Sequence, residues 1–401
     1  MQSGAQVTRM GFNAGDQAFW FRAHNFIPYE GKTEDWPATF ANLIAAKNIT
    51  DIVLYGDIRP AHARAIKVAK TAGIRIHTFE EGYMRPYWVT YERDGSNGHS
   101  RLMDLSIDEM SVALAINDHD MHPPPAVWGD MRQHVFYGAL YHWFVLFANR
   151  RYRQFKRHRH LSVGQEAWLY TKRLFTMPII AARRSLSTRR IRQAGYPYHL
   201  VLLQLEHDAS FQAHAPFTRM EQFLQLVIDG FAKGAPVHHH LVFKAHPLEI
   251  GRLPFAKIIS AMARAHGISD RVHFVPGGKL ARLLDQARSA VTVNSTAAQQ
   301  ALWRGIPVKL FGAAVYDKPQ CVSAQPLPDF FAAPQRPDAQ AYRTYRRFLL
   351  ATSQVPGGFY SARGRRQLIR EVTDMLLAEQ DPYQMLLDGP ASVRPNLRSL
   401  G

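Results

Sequence analysis

Two hydroxyl side chains lie where a predicted strand ends and a helix begins. Ser295 and Thr296 follow Asn294 and the apolar run 290–293, and they precede a helical segment. The first turn of a helix offers N–H groups and the positive end of the helix dipole, so hydroxyls at this place favour phosphate binding. A plain N-cap role for Ser295 or Thr296 is the alternative interpretation.

A histidine follows another predicted strand, 241–245. Pro247 cannot continue the strand ladder, so the strand ends near His246, whose imidazole could donate a hydrogen bond to a nucleotide phosphate. Lys244 alternates with His246 and adds positive charge nearby. A structural histidine satisfied by hydrogen bonds is the alternative.

Carboxylates follow two further strands. Glu80 and Glu81 come after the predicted strand 74–79, where like charge and burial could raise one pKa and so provide a general acid or base. A loop cap and a salt bridge with Arg85 are the alternative roles. Asp208 follows the first strand of the second half of the chain, with Glu206 as its competitor. Retaining glycosyl transfer by double displacement needs such a pair about 5 Å apart.

Two motifs that resemble metal sites are discounted. Residues 118–120 match an Asp-x-Asp pattern but lie in a loop rich in proline and histidine. The histidines 238–240 are consecutive, and adjacent side chains of an extended segment point in opposite directions. We therefore predict no metal site.

The elements that position these groups alternate between strand and helix. Residues 51–55, 60–72 and 74–79 read as a βαβ unit, and residues 199–311 repeat the rhythm over about five strands. The sequence thus predicts an α/β, GT-B-like fold with two Rossmann-type domains facing a central cleft and a helical C-terminal tail. The predicted domains are 1–195, with a basic helical insertion at 136–195, then 196–335 and the tail 336–401.

Composition narrows the class of protein. The chain has 401 residues, 46% of them hydrophobic, which excludes wholesale disorder. Its 49 Lys and Arg against 32 Asp and Glu give a formal charge of +17, which points to anionic partners. Its one cysteine excludes a disulfide framework within the chain. The N-terminus does not read as a signal peptide, and no apolar stretch is long enough to span a bilayer.

The segment 150–160 carries six basic residues and no acid. A solvated helix face is one interpretation. Because Tyr152 and Phe155 interleave with the charges and an apolar stretch precedes them, association with an anionic membrane surface is the other. No nucleic-acid-binding motif is recognisable. The predicted membrane and acceptor residues are Arg150, Arg151, Arg153, Lys156, Arg157 and Arg159.

Several short motifs, taken in order, resemble the capsule polysaccharide biosynthesis family, and in particular its single-module retaining β-Kdo transferases, which start a poly-Kdo linker on a glycerolipid. The resemblance runs from about residue 11 to residue 316. It rests on the motifs at 55–60, 79–86, Gln204 with Asp208, 244–249, 294–296, 305–307 and 312–316.

The resemblance implies a GT-B fold, CMP-Kdo as the donor and no metal or other cofactor in the transfer step. It implies an anionic acceptor, (lyso)phosphatidylglycerol, at the cytoplasmic face of the inner membrane, where the enzyme would be peripheral. It further suggests a second Kdo transferase and the capsule export machinery as partners. By residue it implies Asp208 as nucleophile and Glu81 as acid/base with Glu80 in support. The implied donor-binding residues are Gln204, Lys244, His246, Pro247, Asn294, Ser295 and Thr296.

Other functions remain open at this stage. A sialyltransferase or a nucleotide-sugar 2-epimerase would use the same fold. A non-catalytic scaffold for capsule assembly or export would use only the basic surface.

Overall fold

The computed structural model describes residues 4–20, 23–85, 87–116, 131–155, 163–247, 249 and 253–389. The strands are β1 (Arg9–Gly11), β2 (Phe26–Pro28), β3 (Asp51–Tyr55), β4 (Arg75–Glu81), β5 (Trp88–Arg93), β6 (Tyr198–Leu202), β7 (His240–Lys244), β8 (Val272–Val275), β9 (Ala287–Thr292), β10 (Val308–Leu310) and β11 (Gln354–Pro356). The α-helices are α1 (Ala14–Ala18), α2 (Trp36–Lys47), α3 (Pro60–Thr71), α4 (Ile107–Ile116), α5 (Met131–Phe147), α6 (Val163–Gln193), α7 (Ala209–His214), α8 (Met220–Gly234), α9 (Phe255–Ala265), α10 (Leu280–Leu284), α11 (Gln299–Leu302), α12 (Leu327–Ala332), α13 (Ala339–Ala351), α14 (Ala362–Leu377) and α15 (Pro382–Leu387).

The chain divides into two compact units that are interleaved in sequence. Unit 1 comprises residues 1–95, 123–171 and 355–378, and unit 2 comprises residues 96–122, 172–354 and 379–401. We predicted domain boundaries at residues 195 and 335, which would give domains that are each continuous in sequence. These boundaries stay a prediction.

The main sheet of unit 1 has the order β11-β5-β4-β3. Strands β3 and β4 are parallel, with Asp51 opposite Arg75 and Tyr55 opposite Phe79, whereas β4 and β5 are antiparallel. Strands β1 and β2 form a separate parallel pair. The predicted βαβ unit is confirmed, because α3 connects the parallel strands β3 and β4.

Local chemistry explains this βαβ unit. Helix α3 begins at Pro60, whose fixed backbone angle suits the first helical position. It ends before Gly73, which has the left-handed φ of +67° common after a helix. The buried side chains between the helix and the sheet are apolar, with Ala65 and Ala69 of α3 packed in one cluster with Ile52 and Ile76.

The C-terminal segment 355–378 completes unit 1. The hydroxyl of Tyr91 on β5 donates to the carbonyl oxygen of Met375 at 3.1 Å. The Arg93 guanidinium donates to the same carbonyl oxygen at 3.3 Å and also to that of Ala378. These bonds satisfy carbonyl groups at the end of α14, which would otherwise lack partners.

Unit 2 has a five-stranded parallel sheet in the order β10-β9-β6-β7-β8. The chain starts in the middle at β6, runs outward to β8, and then returns to place β9 on the other side of β6. This is the Rossmann strand order, and its switch point lies between β6 and β9. Ligands of such sheets bind beyond the carboxyl ends of the strands at the switch point. The predicted five-stranded sheet is confirmed.

The remaining parts of unit 2 are held by polar bonds. The Arg101 guanidinium donates to Asp381 Oδ2 at 2.8 Å and to Gln384 Oε1 at 2.6 Å. Lys318 Nζ donates to the carbonyl oxygen of Leu102 at 2.5 Å. Residues 96–116 and 379–389 thereby attach to the unit that carries the five-stranded sheet. The predicted α/β class and the helical C-terminal region are confirmed, although strand β11 lies within that region.

None of the helices in the described ranges is long and apolar enough to cross a membrane.

Two histidine pairs lie at the beginning of strands β6, β7 and β8. His199 Nε2 lies 3.1 Å from His239 Nδ1, and His240 Nδ1 lies 2.9 Å from His273 Nε2. Tyr196 stacks on His240 with the ring centroids 3.7 Å apart. Burial lowers the pKa of His199 to about 3, and burial lowers that of His239 and of His273 to about 4.

These pairs make unfolding depend on pH. A histidine whose pKa is lower in the folded protein stabilises the fold above about pH 6.5, and this contribution is lost as the pH falls toward the folded-state pKa. We expect each of these three histidines to lower the free energy of unfolding in urea by up to about 2 kcal/mol between pH 7 and pH 5. His199→Gln should flatten this dependence, whereas His24→Gln, at an exposed position, should preserve it. An unchanged slope in His199→Gln would contradict the assignment.

Candidate active site

A carboxylate in unit 1 is held by two tyrosines. Glu81, at the end of β4, accepts a hydrogen bond from the Tyr55 hydroxyl at 3.1 Å and a second, short one from the Tyr360 hydroxyl. Both hydroxyls donate to Oε1, so neither of these bonds engages Oε2. We call Glu81, Tyr55 and Tyr360 the carboxylate cluster.

The two tyrosines remain protonated donors. Burial, and next the negative charge of Glu81, raise the pKa of Tyr55 and of Tyr360 well above its usual value of 10. Since neither phenol ionises near neutral pH, both hold the carboxylate through O–H groups over the whole physiological range.

The Tyr55 ring is fixed from two sides. Phe359 meets it edge to face with the ring centroids 5.0 Å apart, and the Arg59 guanidinium lies 5.1 Å from its centroid. The next residue, Gly56, has a φ of +73°, and a Cβ there would come within 3.2 Å of Glu80 Oε2. Glycine is therefore the residue that suits this turn.

The sequence predicts Glu80 and Glu81 just after the end of a strand. In the structure they are instead the last two residues of β4. Because neighbouring strand residues point to opposite faces, the two carboxylates cannot share one site through their position alone. Glu80 Oε1 accepts the backbone N–H of Glu81 at 3.1 Å, a local bond that supports the strand end. Its supporting role in catalysis stays a prediction.

The switch point of unit 2 is closed by a pair of amides. Gln204 follows β6 and Asn294 follows β9, and both side chains are buried. Gln204 Nε2 donates to Asn294 Oδ1 at 2.7 Å, and Gln204 Oε1 accepts the backbone N–H of Asn294 at 2.9 Å. Asn294 Nδ2 donates to the carbonyl oxygen of Ser210 at 3.0 Å. Both amides thus hold protein groups and fix two loops to each other.

The hydroxyl residues follow directly. Ser295 caps a short 3₁₀ helix, Thr296–Ala298, by accepting the N–H of Ala297 at 3.3 Å. The Tyr316 hydroxyl supports this turn by donating to the Ser295 carbonyl oxygen at 2.6 Å. Ser295 and Thr296 are partly exposed, in contrast to Asn294. The N-cap interpretation of Ser295 therefore holds, and its partial exposure leaves a role in ligand binding as a prediction.

A buried lysine lies at the end of β7. Lys244 is 5% exposed, and its Nζ donates to the carbonyl oxygen of Ala245 at 3.4 Å. Burial, and next the charge of Arg184, lower the pKa of Lys244 to about 8. Arg184, on α6, donates to the carbonyl oxygens of Pro276 at 2.8 Å and Pro247 at 3.1 Å. Two cations therefore share the carboxyl edge of the sheet, an arrangement that an anion would stabilise. His246 is partly exposed beside them.

The two acids after β6 have different surroundings. Glu206 Oε2 accepts the backbone N–H of Met220 at 2.7 Å and so satisfies the first turn of α8. Asp208 precedes α7, is exposed, and its side chain makes no capping bond to that helix. Glu206 therefore has a structural role at the start of α8, and the choice between Asp208 and Glu206 as nucleophile stays a prediction.

The described part of the basic segment is only partly a charged surface. Arg150, Arg151 and Arg153 are exposed, and Arg151 pairs with Glu30 at 2.6 Å. Tyr152 and Phe155 pack inward: the Tyr152 hydroxyl bonds Gln17, and the Phe155 ring lies 4.7 Å from that of Phe12. The expectation that these aromatics belong to a membrane-facing surface is wrong, because they complete the core of unit 1. Lys156, Arg157 and Arg159 lie outside the described residues.

Of the two motifs discounted as metal sites, the structure describes only the histidines 238–240. His239 and His240 bond different histidines, so the three consecutive side chains of 238–240 do not converge. Residues 118–120 lie outside the described part of the chain. Within that part, no group of three or more His, Cys, Asp or Glu side chains could hold a metal ion.

The sequence did not indicate a role for Tyr360 in the carboxylate cluster or for Arg184 beside Lys244. Tyr360 lies in a segment predicted as helical tail, although the run Gly357-Gly358 before two aromatics could have indicated a loop near a ligand. Arg184 lies within the predicted basic helical insertion 136–195. No sequence signal distinguished it from its basic neighbours.

Fold and site together define an α/β protein with a Rossmann-type unit. The family described as "Capsule polysaccharide biosynthesis protein" matches residues 50–360. The chain belongs to this family. Similar proteins include "Capsule polysaccharide export protein KpsS" of Escherichia coli, 27% identical over 89% of this chain and 91% of KpsS. "Capsule polysaccharide modification protein LipB" of Neisseria meningitidis serogroup A is 28% identical over 90% of this chain and 86% of LipB.

Among solved structures, the chain is similar to two structures from Thermosulfurimonas dismutans. The structure titled "KpsC, beta Kdo 2,7 transferase" has a TM-score of 0.38 at 12% identity and covers 80% of this chain and 83% of its own. The one titled "KpsC, beta Kdo 2,4 transferase" has a TM-score of 0.38 at 10% identity, covering 81% and 91%. Membership of the family rests on the sequence match.

The amide pair at the switch point predicts a clear stability effect. Gln204→Leu would leave the buried Asn294 oxygen and N–H without their partner, which costs about 1–3 kcal/mol. We expect urea denaturation to show a loss of this size. Gln300→Leu, on an exposed side chain of the same unit, should change the free energy of unfolding by less than about 0.5 kcal/mol. Equal effects of the two substitutions would contradict this role of Gln204.

Proposed function

We propose that this protein is a retaining glycosyltransferase that moves Kdo from CMP-Kdo to (lyso)phosphatidylglycerol and so starts the capsule polysaccharide linker. Membership of the capsule polysaccharide biosynthesis family supports the pathway. The observation that carries the chemistry is the Glu81 carboxylate, oriented by Tyr55 and Tyr360 through one oxygen, with the other oxygen outside those bonds.

In the proposed reaction, two carboxylates act in sequence. Asp208 attacks the anomeric carbon of Kdo, the bond from that carbon to the phosphate oxygen breaks, and CMP leaves with the bonding electrons. The acceptor hydroxyl then attacks the same carbon, the bond to Asp208 breaks, and Glu81 takes the hydroxyl proton. Two inversions give net retention. CMP leaves as a stable anion, so the main task of Glu81 is that of a base toward the acceptor.

The carboxyl edge of the unit 2 sheet suits an anionic donor. Lys244 and Arg184 share this edge, and we propose that they attract the phosphate of CMP-Kdo and the Kdo carboxylate. His246, Ser295 and Thr296 would donate hydrogen bonds to the phosphate. Gln204 and Asn294 would act by fixing the loops, since their amides already bond within the protein.

An apolar stripe supports an acceptor in a membrane. Phe136, Trp143 and Phe147 of α5 are more than half exposed, and their spacing of seven and four residues places them on one face of the helix. The basic residues that begin at Arg150 follow directly. An apolar face next to arginines favours binding at an anionic lipid surface. We therefore propose peripheral binding to the inner membrane.

The names of the similar proteins KpsS and LipB refer to capsule polysaccharide export and modification, which supports involvement in capsule assembly. We propose a second Kdo transferase, which would extend the product, and the capsule export machinery as partners.

The test is a mass spectrum of the product formed from CMP-Kdo and a fluorescent phosphatidylglycerol in mixed vesicles. We expect a lipid heavier by one or more Kdo residues, with release of CMP. CMP release without lipid modification would refute the acceptor. A parallel panel with UDP-GlcNAc and CMP-sialic acid distinguishes an epimerase or a sialyltransferase. No turnover of any donor would favour a non-catalytic scaffold.

Removing the Glu81 carboxylate should reduce kcat. Glu81→Gln keeps the shape of the side chain but removes the base, so we expect kcat to fall by about 10²–10⁴-fold with a small change in KM for CMP-Kdo. Tyr360→Phe should have a smaller effect, about tenfold, because it only releases the carboxylate. Glu34→Gln, at an exposed site in the same unit, is the matched control. Full activity of Glu81→Gln would exclude this role.

Lys244 should make donor binding depend on pH. With a pKa of about 8, its ammonium is present below that value and lost above it, so the KM for CMP-Kdo should rise between pH 7 and pH 9. Lys244→Arg stays charged and should flatten this rise. Lys257→Arg, on an exposed helix position, should keep the profile of the wild type. The same profile in Lys244→Arg and wild type would exclude Lys244 as its source.

A further inference from the structure

A groove in unit 2 lies between helices α6 and α10. This open groove has a volume of about 420 Å³, comparable with the volumes of ligand sites. Five of its six lining residues lie on the last three turns of α6, and the sixth comes from α10. The lining residues are Ser185, Thr188, Arg189, Arg192, Gln193 and Arg282.

The lining is strongly basic. Three of the six residues are arginines, and none of the six is an acid. Asp285, which follows α10, forms an ion pair with Arg304 at 3.5 Å, and neither of these two residues lines the groove. Three guanidinium groups around one space repel one another unless an anion or solvent ions screen them.

The helix dipole does not account for all of these charges. Arginines in the last turn stabilise the negative end of a helix, which gives Arg192 a structural role at the end of α6. Arg282 belongs to a different helix, and Arg189 lies outside that last turn. The charges therefore converge on the groove from two elements.

The groove also has the donors that a phosphate needs. Arg189 Nε donates to Gln193 Oε1 at 3.2 Å, which orients its guanidinium. Thr188 is 6% exposed and Ser185 is exposed, and each adds a hydroxyl to the arginine forks. Arginine binds phosphate oxygens through paired N–H groups, which makes it well suited to phosphate esters.

We propose that this groove between α6 and α10 is a binding site for a phosphate ester, separate from the strand-end residues assigned to the donor. The ester is either a small soluble phosphate or the headgroup phosphate of an anionic glycerolipid. Leu186 and Ile179, both more than half exposed on α6 and seven residues apart, provide an apolar surface on the same helix that a lipid could contact.

Binding measurements with the full chain test this site. One arm titrates glycerol 3-phosphate by calorimetry, and the other measures sedimentation with vesicles of phosphatidylcholine containing one quarter phosphatidylglycerol, against phosphatidylcholine alone. No nucleotide sugar is present, so the outcome does not depend on the proposed transfer reaction. The variant is Arg189→Gln with Arg282→Gln. The control, Arg336→Gln with Lys257→Gln, removes two charges from exposed positions of the same unit.

We expect the double variant to bind about tenfold more weakly in one arm, while the control binds like the wild type. A loss in the calorimetric arm assigns a soluble ester, and a loss only with anionic vesicles assigns a lipid headgroup. Equal binding by variant and control, or no binding of the wild type in either arm, overturns the proposal. If the double variant fails to fold, the same measurements are made with Arg282→Gln alone, a single change at an exposed position.

Discussion

The reciprocal hydrogen bonds between Gln204 and Asn294 close the switch point of the parallel sheet in unit 2, and the geometry of that sheet edge depends on them. Strands β6 and β9 are neighbours, but their connections leave in different directions. Two amides buried between these connections would each be costly without a partner, so they satisfy each other. Asn294 extends the link to Ser210, so the segment that begins with Asp208 is joined to the turn at Ser295.

In unit 1, hydrogen bonds hold a carboxylate in place, as they hold the two amides in unit 2. Glu81 is fixed by two phenols that stay protonated, since burial and the carboxylate itself both oppose their ionisation. Both hydroxyl groups are neutral donors, so they orient the carboxylate without adding a second charge beside it. The edge-to-face contact with Phe359 and the Arg59 guanidinium near the ring hold Tyr55 in place and so support this orientation.

The chain has a formal charge of +17, and its cationic side chains lie in different local surroundings. Lys244 is buried beside Arg184, which lowers its pKa, whereas Arg189, Arg192 and Arg282 surround an open groove. Arg151, by contrast, pairs with Glu30 at the surface. Composition predicts anionic partners, and the local surroundings of each cation distinguish a binding edge, a groove and an ordinary surface pair.

The sequence by itself determined the elements and the chemical groups at their ends. Strand β3 has the predicted bounds, and the parallel sheet of unit 2 follows from the alternation of strands and helices, because these patterns are local. Tertiary structure decided what the local pattern does not contain. Tyr360 reaches Glu81 across 279 residues, and Tyr152 with Phe155 turns inward although charges surround both in the sequence. Which side chains meet depends on how distant segments pack to bury apolar surface and pair buried polar groups, and one sequence read along its length does not specify that packing.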